Sequence, residues 1–301
     1  MKIGVTGTFE SDKEGFKPSS AQIRALHDNL TSNYDFKVFD WNDVVDNVSS
    51  KFYSEGPRNE DLHLDSLDIL VVRQLGNISS KKDAFLSFLN NLSEVSAKVV
   101  NNPDKMINNL DKSYLIDLFN KGFDVVPTYL VKDPVDTFYK VRVDFGVKEV
   151  VFKPKYFGES GIDVYKFGEA PSLSFNNQDY IAQPFMQDIY EGEHSLFFFG
   201  DDFSHGILKS NSSTNFKINY SENSVYSRFY PDENLLRKSQ ELIEYMGDED
   251  QILRLDFVNS KSGYLLMEYE AINPSPYMES VDVKKLFCDN FNQFLKDKYL
   301  L

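Results

Sequence analysis

Charged residues inside strands that otherwise read as core are the tightest constraint on this chain. Ile252-Leu253-Arg254-Leu255-Asp256-Phe257-Val258 is apolar except for Arg254 and Asp256, and the next apolar run carries Glu268 and Glu270, with Asn273 close behind. Between them Asn259-Ser260-Lys261-Ser262-Gly263 reads as a turn, so a simple hairpin pairs Val258 with Tyr264, Asp256 with Leu266 and Arg254 with Glu268. Side chains alternate between the faces of a strand, which puts Arg254, Asp256, Glu268 and Glu270 on one face. Leu253, Leu255, Phe257, Leu265, Met267 and Tyr269 fall on the other, an apolar set suited to burial. Such a charged face fits a divalent cation. Mg²⁺ takes oxygen ligands in an octahedron and keeps waters and substrate phosphates, so two or three carboxylates plus an Asn carbonyl suffice. An exposed hairpin with salt-bridged charges fits the same segment, because antiparallel sheets commonly turn one face to water.

A chain of 301 residues buries a large core and is long enough for two or more subdomains. Its formal net charge of −15 argues against nucleic acid as a partner, since phosphate neutralisation needs a surplus of Lys and Arg on some face. A small anionic ligand such as a nucleotide needs only a few local cations. The single cysteine, Cys288, permits neither a disulfide framework nor a zinc site. It sits in Lys285-Leu286-Phe287-Cys288, where helix packing is expected, and it points to a reducing compartment, the cytoplasm. No run reaches transmembrane length, and Met1 to Gly7 is too short and too Gly-rich for a signal peptide, so no membrane partner is expected.

Short apolar runs alternate with helical patterns through the first hundred residues, the signature of an open α/β layer. Strands are expected at 2–6, 36–39, 69–72 and 98–100, with helical stripes at Ile23, Leu26, Leu30 and at Phe85, Phe88, Leu89, Leu92. Gly4-Val5-Thr6-Gly7-Thr8 lacks the Gly-Lys-Ser/Thr ending of a phosphate loop and reads as a strand-to-loop turn. Asn101-Asn102-Pro103 opens one helix, and Asp111 caps another over 112–119 that Gly122 closes. Further strands are expected at 125–131, 150–153 and 180–185, and a hairpin joins 195–199 to 203–208. Residues 210–230 are polar and aperiodic and read as a long loop of the kind used as a functional lid. An amphipathic helix follows at 235–246. The expected division is an N-terminal α/β lobe over 1–100, a central part over 101–180 and a C-terminal part over 181–301.

Lys153 ends an apolar strand just ahead of Gly158-Glu159-Ser160-Gly161. A lysine is costly to bury without an anion, and backbone N–H groups of a Gly loop can approach phosphate oxygens. Strand, cation and loop together suggest a nucleotide phosphate site; the two glycines alone would be an ordinary turn. Lys112 in isolation reads as a solvated lysine. Ile181-Ala182-Gln183-Pro184-Phe185-Met186 is either a core strand or a hinge that offers backbone groups to a purine, with Phe185 and Met186 on the ring and Glu193 on ribose hydroxyls. His194 and His205 lie in strand patterns and read as packing or hydrogen-bonding residues.

In chain order these pieces resemble the ATP-grasp superfamily, in particular its glutathione-synthetase-like carboxylate–amine ligases, over roughly residues 99–280. Val99-Val100-Asn101-Asn102-Pro103, Asp111-Lys112, Val126-Pro127-Thr128, Ile181-Ala182-Gln183-Pro184-Phe185 and Phe203-Ser204-His205 are each close to phrases of that group. The resemblance implies an α/β chain, α+β in its C-terminal part, with an ATP-grasp fold behind an open α/β lobe. It implies that Lys112 and Lys153 reach the α- and β-phosphates of ATP and that the loop of Gly158, Ser160 and Gly161 closes over them. Gln183, Phe185 and Met186 would line the adenine pocket and Glu193 would hold the ribose. Two Mg²⁺ ions, with Mn²⁺ as an alternative, would fall to Asp256, Glu268, Glu270 and Asn273. Glu270-Ala271-Ile272-Asn273 is one residue longer than the usual acid-x-Asn spacing, which leaves Glu268 and Glu270 as alternatives for the second ligand. Arg254 would meet the transferred phosphoryl group, and Lys209 and Lys217 an acyl phosphate or substrate carboxylate; Arg73 and Arg228 are candidates for binding substrate. A glycine pair that often follows the basic position near Lys217 is replaced by Tyr226-Ser227-Arg228.

The activity implied is ADP-forming carbon–nitrogen ligation, in which a small-molecule carboxylate is activated as an acyl phosphate and coupled to an amine. Beside it stand an intramolecular cyclo-ligase of an amino-acid derivative in secondary metabolism and an ATP-binding regulatory module without turnover. Members of the group are often dimers or tetramers, so a homodimer or homotetramer is allowed.

Overall fold

In this computed structural model the described residues are 1–7, 9–12, 15–18, 21–44, 49–53, 57–76, 78, 81–156, 163–166, 179–211, 224–278 and 281–299. The first part comprises β1 (Lys2–Thr6), β2 (Phe9–Asp12), β3 (Gly15–Pro18), α1 (Ala21–Leu30), β4 (Asp35–Phe39), β5 (Ser49–Tyr53), β6 (Pro57–His63), β7 (Ile69–Val71), α2 (Lys82–Leu92) and β8 (Lys98–Val100). Six of the strands form one sheet in the order β6-β5-β4-β1-β7-β8, parallel from β4 to β8 and antiparallel at the β5 and β6 edge. Parallel strands covered on both faces read as short apolar runs, which is why β1, β4, β7 and β8 fall where the sequence pattern puts them. The polar β5 and β6 carry no such signal.

The chain continues through α3 (Pro103–Asn109), α4 (Tyr114–Asn120), β9 (Tyr129–Leu130), α5 (Pro134–Phe145), β10 (Glu149–Pro154), β11 (Asp163–Lys166) and β12 (Tyr180–Pro184). The strands make an antiparallel sheet in the order β11-β10-β12-β9. The Asn102 side-chain Oδ1 accepts from Asp104 N at 2.9 Å and from Lys105 N, starting α3 as its sequence predicts. Lys112 stands ahead of α4 rather than on its first turn, because the Asp111 carboxylate accepts from Ser113 N and forms a turn first. The strand expected over 125–131 shortens to β9, and Val125 bridges to Leu266 instead.

The remainder is β13 (Glu193–Phe199), β14 (Asp202–Asn211), β15 (Ser224–Phe229), α6 (Glu233–Met246), β16 (Ile252–Ser260), β17 (Gly263–Glu270) and α7 (Val281–Tyr299). Its five strands form an antiparallel sheet, β15-β14-β13-β16-β17. β15 replaces part of the loop expected over 210–230, since Ser-Val-Tyr-Ser-Arg-Phe alternates well enough to pair with β14. The rest of that loop, 212–223, lies outside the described residues.

The β16/β17 hairpin departs from the simple pairing in two linked ways. Its turn is only Lys261-Ser262, with Gly263 at φ 106°, so Val258 faces Leu265 instead of Tyr264. A one-residue slip of this kind sends every side chain to the opposite face. A bulge at Met267 then restores the original parity, setting Asp256 opposite Glu268 and Arg254 opposite Glu270. The carboxylates therefore share a face as expected, but Leu265 and Met267 do not join the apolar back. They pack with Val126, Val151, Phe185, Ile189 and Val258, while Leu253, Leu255, Phe257, Leu266 and Tyr269 fill the core against α6.

β17 is an edge strand, and segments 101–126 cover it. Asn109 Nδ2 donates to Tyr269 O at 2.8 Å and its carbonyl accepts from Ala271 N at 2.9 Å; Tyr114 OH accepts from Tyr269 N at 3.0 Å. Backbone bonds between Asp124, Val126 and Leu266 complete the cover. Fully buried Asn101 joins the ends of both strands, donating to Ile252 O at 2.8 Å and Ala271 O at 2.6 Å and accepting from Ile252 N at 2.7 Å. The expected boundaries at 100 and 181 do not interrupt packing: Ile3, Val5, Ile23 and Leu26 share a core with Phe197, Phe199, Phe287, Phe291 and Leu295. Cys288 lies in that core, where burial pushes its thiol up to about 11, as a packing residue would be.

Asn101→Ala leaves three strand-end backbone bonds unmade inside the protein. Urea unfolding is expected to show a loss of about 2–3 kcal/mol. Asn102→Ala, which removes only a helix cap, is expected to lose about 1 kcal/mol.

Candidate active site

The site is built on one face of the five-stranded sheet, around the carboxylate of Asp256. Arg254, two residues earlier on the same face, donates from Nε at 3.0 and 3.1 Å and from Nη2 at 2.9 Å. Ser195, directly across on β13, donates its Oγ to Oδ1 at 2.5 Å, and Lys209 Nζ lies 3.6 Å from the same oxygen. Burial pushes the Asp256 carboxyl up, but Arg254, Lys209 and Ser195 together hold it well below the ordinary carboxylate range.

Lys209 is 1 % exposed and forms an ion pair with Glu193, its cross-strand neighbour. Burial opposes its charge, yet Asp256 and Glu193 raise its pKa above the ordinary lysine value. Glu193 is itself raised, by burial first; Lys209 pulls it down and Asp256 pushes it up again. On β17, Glu268 pairs with Lys112 Nζ at 3.1 Å. Burial acts against that carboxylate, but Lys112 brings it below its usual value. Glu270 Oε1 accepts from Ile272 N at 3.0 Å and Asn273 N at 2.9 Å. Burial nevertheless raises Glu270, opposed by Arg254 and reinforced by Glu268. Lys153, at the end of β10, is pushed down to about 8, by burial first and then by neighbouring Lys112. Glu193, Asp256, Glu268 and Glu270 thus balance Lys112, Lys153, Lys209 and Arg254.

Beside the charges lies the apolar cluster of Val126, Val151, Phe185, Ile189, Val258, Met186, Leu265 and Met267, which fills the space between the four-stranded sheet and β16/β17. Gln183 is buried with its Nε2 donating to Thr128 Oγ1 at 2.8 Å. Glu193 points to Lys209, and Asn273 Oδ1 accepts from Gln74 N at 2.9 Å, fastening the segment after β17 to the N-terminal sheet. Fully buried Arg73 does the same, with Nη2 donating to Pro274 O and its guanidinium 5.8 Å from the Phe197 ring centre. Arg228 lies on β15 opposite Ile207, its guanidinium 5.2 Å from the ring centre of Tyr230. His205 bonds Ser204 and Pro276 O, and His194 packs between Phe229 and Tyr264. Gly158, Ser160, Gly161 and Lys217 lie outside the described residues.

Ser195 and Tyr277 join the site without having been singled out in the sequence. Ser195 had a signal, since it is two residues from Glu193 and so on the same face of β13. Tyr277 had none: its OH accepts from Lys209 Nζ at 3.1 Å across 68 positions of sequence.

A divalent cation fits the carboxylates. Asp256 and Glu268 are direct cross-strand neighbours, and like charges so placed are unfavourable unless a cation lies between them. Their oxygens are hard donors of the kind Mg²⁺ and Mn²⁺ take. Among the described residues no three His, Cys, Asp or Glu side chains already converge as a cage. Phosphate oxygens and water would have to complete the coordination.

No family model matches the chain, and no curated protein matches it. Solved structures do. The D-cycloserine synthetase DcsG is 17 % identical, with 96 % of this chain and 99 % of that one aligned at a TM-score of 0.69. The ATP-grasp ligase PsnB, complexed with a minimal precursor, is 15 % identical over 98 % and 99 % of the two chains, at 0.66. The macrocyclase MdnC from Microcystis aeruginosa, bound with its precursor peptide MdnA, is 12 % identical over 97 % and 100 %, at 0.65. The chain has the ATP-grasp fold. Among the described residues no helix is long and apolar enough to cross a membrane.

Lys209→Met strips Glu193 and Asp256 of a shared buried cation. A loss of about 3–5 kcal/mol in urea unfolding is expected. Adding Glu193→Gln should restore part of it, which a double-mutant cycle measures.

Proposed function

We propose that this ATP-grasp chain is an ATP-dependent ligase that activates a small-molecule carboxylate as an acyl phosphate and couples it to an amine, forming an amide and releasing ADP and phosphate. One observation carries the reading: opposed carboxylates, Asp256 and Glu268, stand on a sheet face with Arg254 and Lys209 beside them and Lys112 and Lys153 facing them. The fold shared with the synthetase DcsG and the ligase PsnB supports it. A regulatory module that only binds ATP has less need of this full set of charges.

In this reading Lys112 and Lys153 hold the phosphates of ATP, and the adenine takes the apolar cluster around Phe185 and Met186. Asp256, Glu268 and Glu270 hold Mg²⁺, which supplies charge neutralisation on the phosphates. A phosphate oxygen that takes Lys112 would release Glu268 from its ion pair and leave that carboxylate available to a metal. Arg254 and Lys209 face the transferred phosphoryl group, and Ser195 fixes the rotamer of Asp256. Catalysis is positioning and charge stabilisation, with no dedicated proton-transfer base required. The amine displaces phosphate from the acyl carbon, whether it belongs to a second molecule or to the same one. The similar structures that hold peptide precursors, PsnB and MdnC, make peptides a class to include among the substrates screened.

ADP release with Mg²⁺-ATP, measured against pooled amino acids, short peptides and small carboxylates, tests the reading. A product mass one water below the summed substrates establishes intermolecular ligation; ADP release with a single substrate that loses one water establishes cyclisation. Asp256→Asn is expected to lower the stimulated ADP release about a hundredfold or more. Undiminished release in that variant would overturn the metal role.

The lysine at about 8 gives a pH signature. Below that value Lys153 already carries its proton and nucleotide affinity should be flat with pH. Above it binding has to take up a proton, so affinity should fall by about tenfold per pH unit until the pKa of the bound state is reached. Calorimetry between pH 6.5 and 9.5, in buffers of different ionisation enthalpy, reads both the slope and the proton. Lys153→Met should flatten the profile.

A further inference from the structure

Tyr277 is the residue most at odds with its surroundings. Its backbone has φ 49°, in the left-handed region that a bulky residue enters at a cost of about 1–3 kcal/mol. The conformation places its ring 5.4 Å from the Arg254 guanidinium carbon and 5.0 Å from Lys209 Nζ, measured to the ring centre. Tyr226, which faces Lys209 across the β14/β15 pair, stacks on the ring at 5.3 Å with 22° between the planes. Ile207 and Val283 complete the packing, so the ring is 6 % exposed and held from several directions.

The hydroxyl is the telling group. It accepts from Lys209 Nζ at 3.1 Å. A phenol oxygen that accepts still has its own proton to give, and among the described residues no acceptor takes it. Burial raises the phenol to about 12, although Arg254 and Lys209 pull the other way, so it remains a neutral donor at physiological pH. A neutral O–H beside Lys209, on a ring that Arg254 also approaches, is a third donor for an anion bound next to Asp256.

We propose that Tyr277 is a further catalytic residue of the ligase reaction, whose O–H donates a hydrogen bond to the phosphoryl group as it passes between ATP and the carboxylate. This rests on the ATP-dependent ligase reading above. The proton stays on the tyrosine throughout, so the step needs no acid or base. The left-handed φ belongs to the conformation that sets the ring beside Lys209 and Arg254. The same two cations hold the phenol in place in the chain without nucleotide.

The full-length protein and its Tyr277→Phe variant test this by calorimetry with Mg²⁺-ADP alone and with Mg²⁺-ADP plus aluminium fluoride, a stand-in for the transferring phosphoryl group. Phe keeps the ring against Tyr226 and beside both cations; it removes the O–H and with it one acceptor of Lys209 Nζ, which retains Glu193 and Asp256. Wild type should bind Mg²⁺-ADP more tightly when aluminium fluoride is present. The variant should bind Mg²⁺-ADP alone within about twofold of wild type and lose about 10- to 100-fold of that gain. A purely structural tyrosine would alter thermal stability or Mg²⁺-ADP affinity and leave the gain intact, which would overturn the proposal. Absence of any gain in wild type that binds Mg²⁺-ADP would overturn it too, while leaving the nucleotide site standing. Failure of wild type to bind Mg²⁺-ADP would overturn the ligase reading and this proposal together.

Discussion

A carboxylate buried at 2 % exposure is the constraint around which this protein is arranged. Asp256 inside a sheet would be intolerable alone, and it is held by Arg254, Ser195 and Lys209 on the same face. Lys209 in turn needs Glu193, and Glu268 needs Lys112, so the charges form a chain of dependence across four elements. Buried ion pairs of this kind add little net stability, because desolvation offsets their attraction. In the function proposed above, phosphate oxygens and a metal ion would take over the same partners without leaving any charge uncompensated.

The backbone makes this arrangement through one bulge. A tight Lys261-Ser262 turn would by itself carry Glu268 and Glu270 into the apolar core; the turn sets Leu265 into the cluster with Phe185, and the bulge at Met267 corrects the parity beyond it while Met267 joins the same cluster. The exposed edge of that hairpin is then closed by Asn101, Asn109 and Tyr114, whose side chains stand in for a neighbouring strand. Gln74 and Arg73 fasten Asn273 and Pro274 from the N-terminal sheet, so the segment that carries Tyr277 is anchored just ahead of it.

Much of this was legible in the sequence. The parallel strands, the helical stripes of α1 and α2, the Asn102 cap and the helix α6 follow from patterns that depend on near neighbours. The charged face of β16 and β17 was legible too, because strand periodicity fixes which residues share a side. The strands β5, β6 and β15 were not, since their short, polar segments carry too little alternation to stand out from a loop. The pairing of Glu193 with Lys209 was not legible either, since it follows from the β13/β14 register.

Residue type and order are enough to specify an α/β chain, a hairpin with acidic residues on one face and lysines at the ends of apolar strands, because these rest on periodicities of two and 3.6. They do not specify which acid meets which base. That depends on strand register, where one bulge reverses every face, and on approaches across tens to hundreds of positions, such as Tyr277 to Lys209 or Asn101 to Ile252. Local sequence carries no energy term for a partner that far away, so those contacts exist only once the sheets have packed.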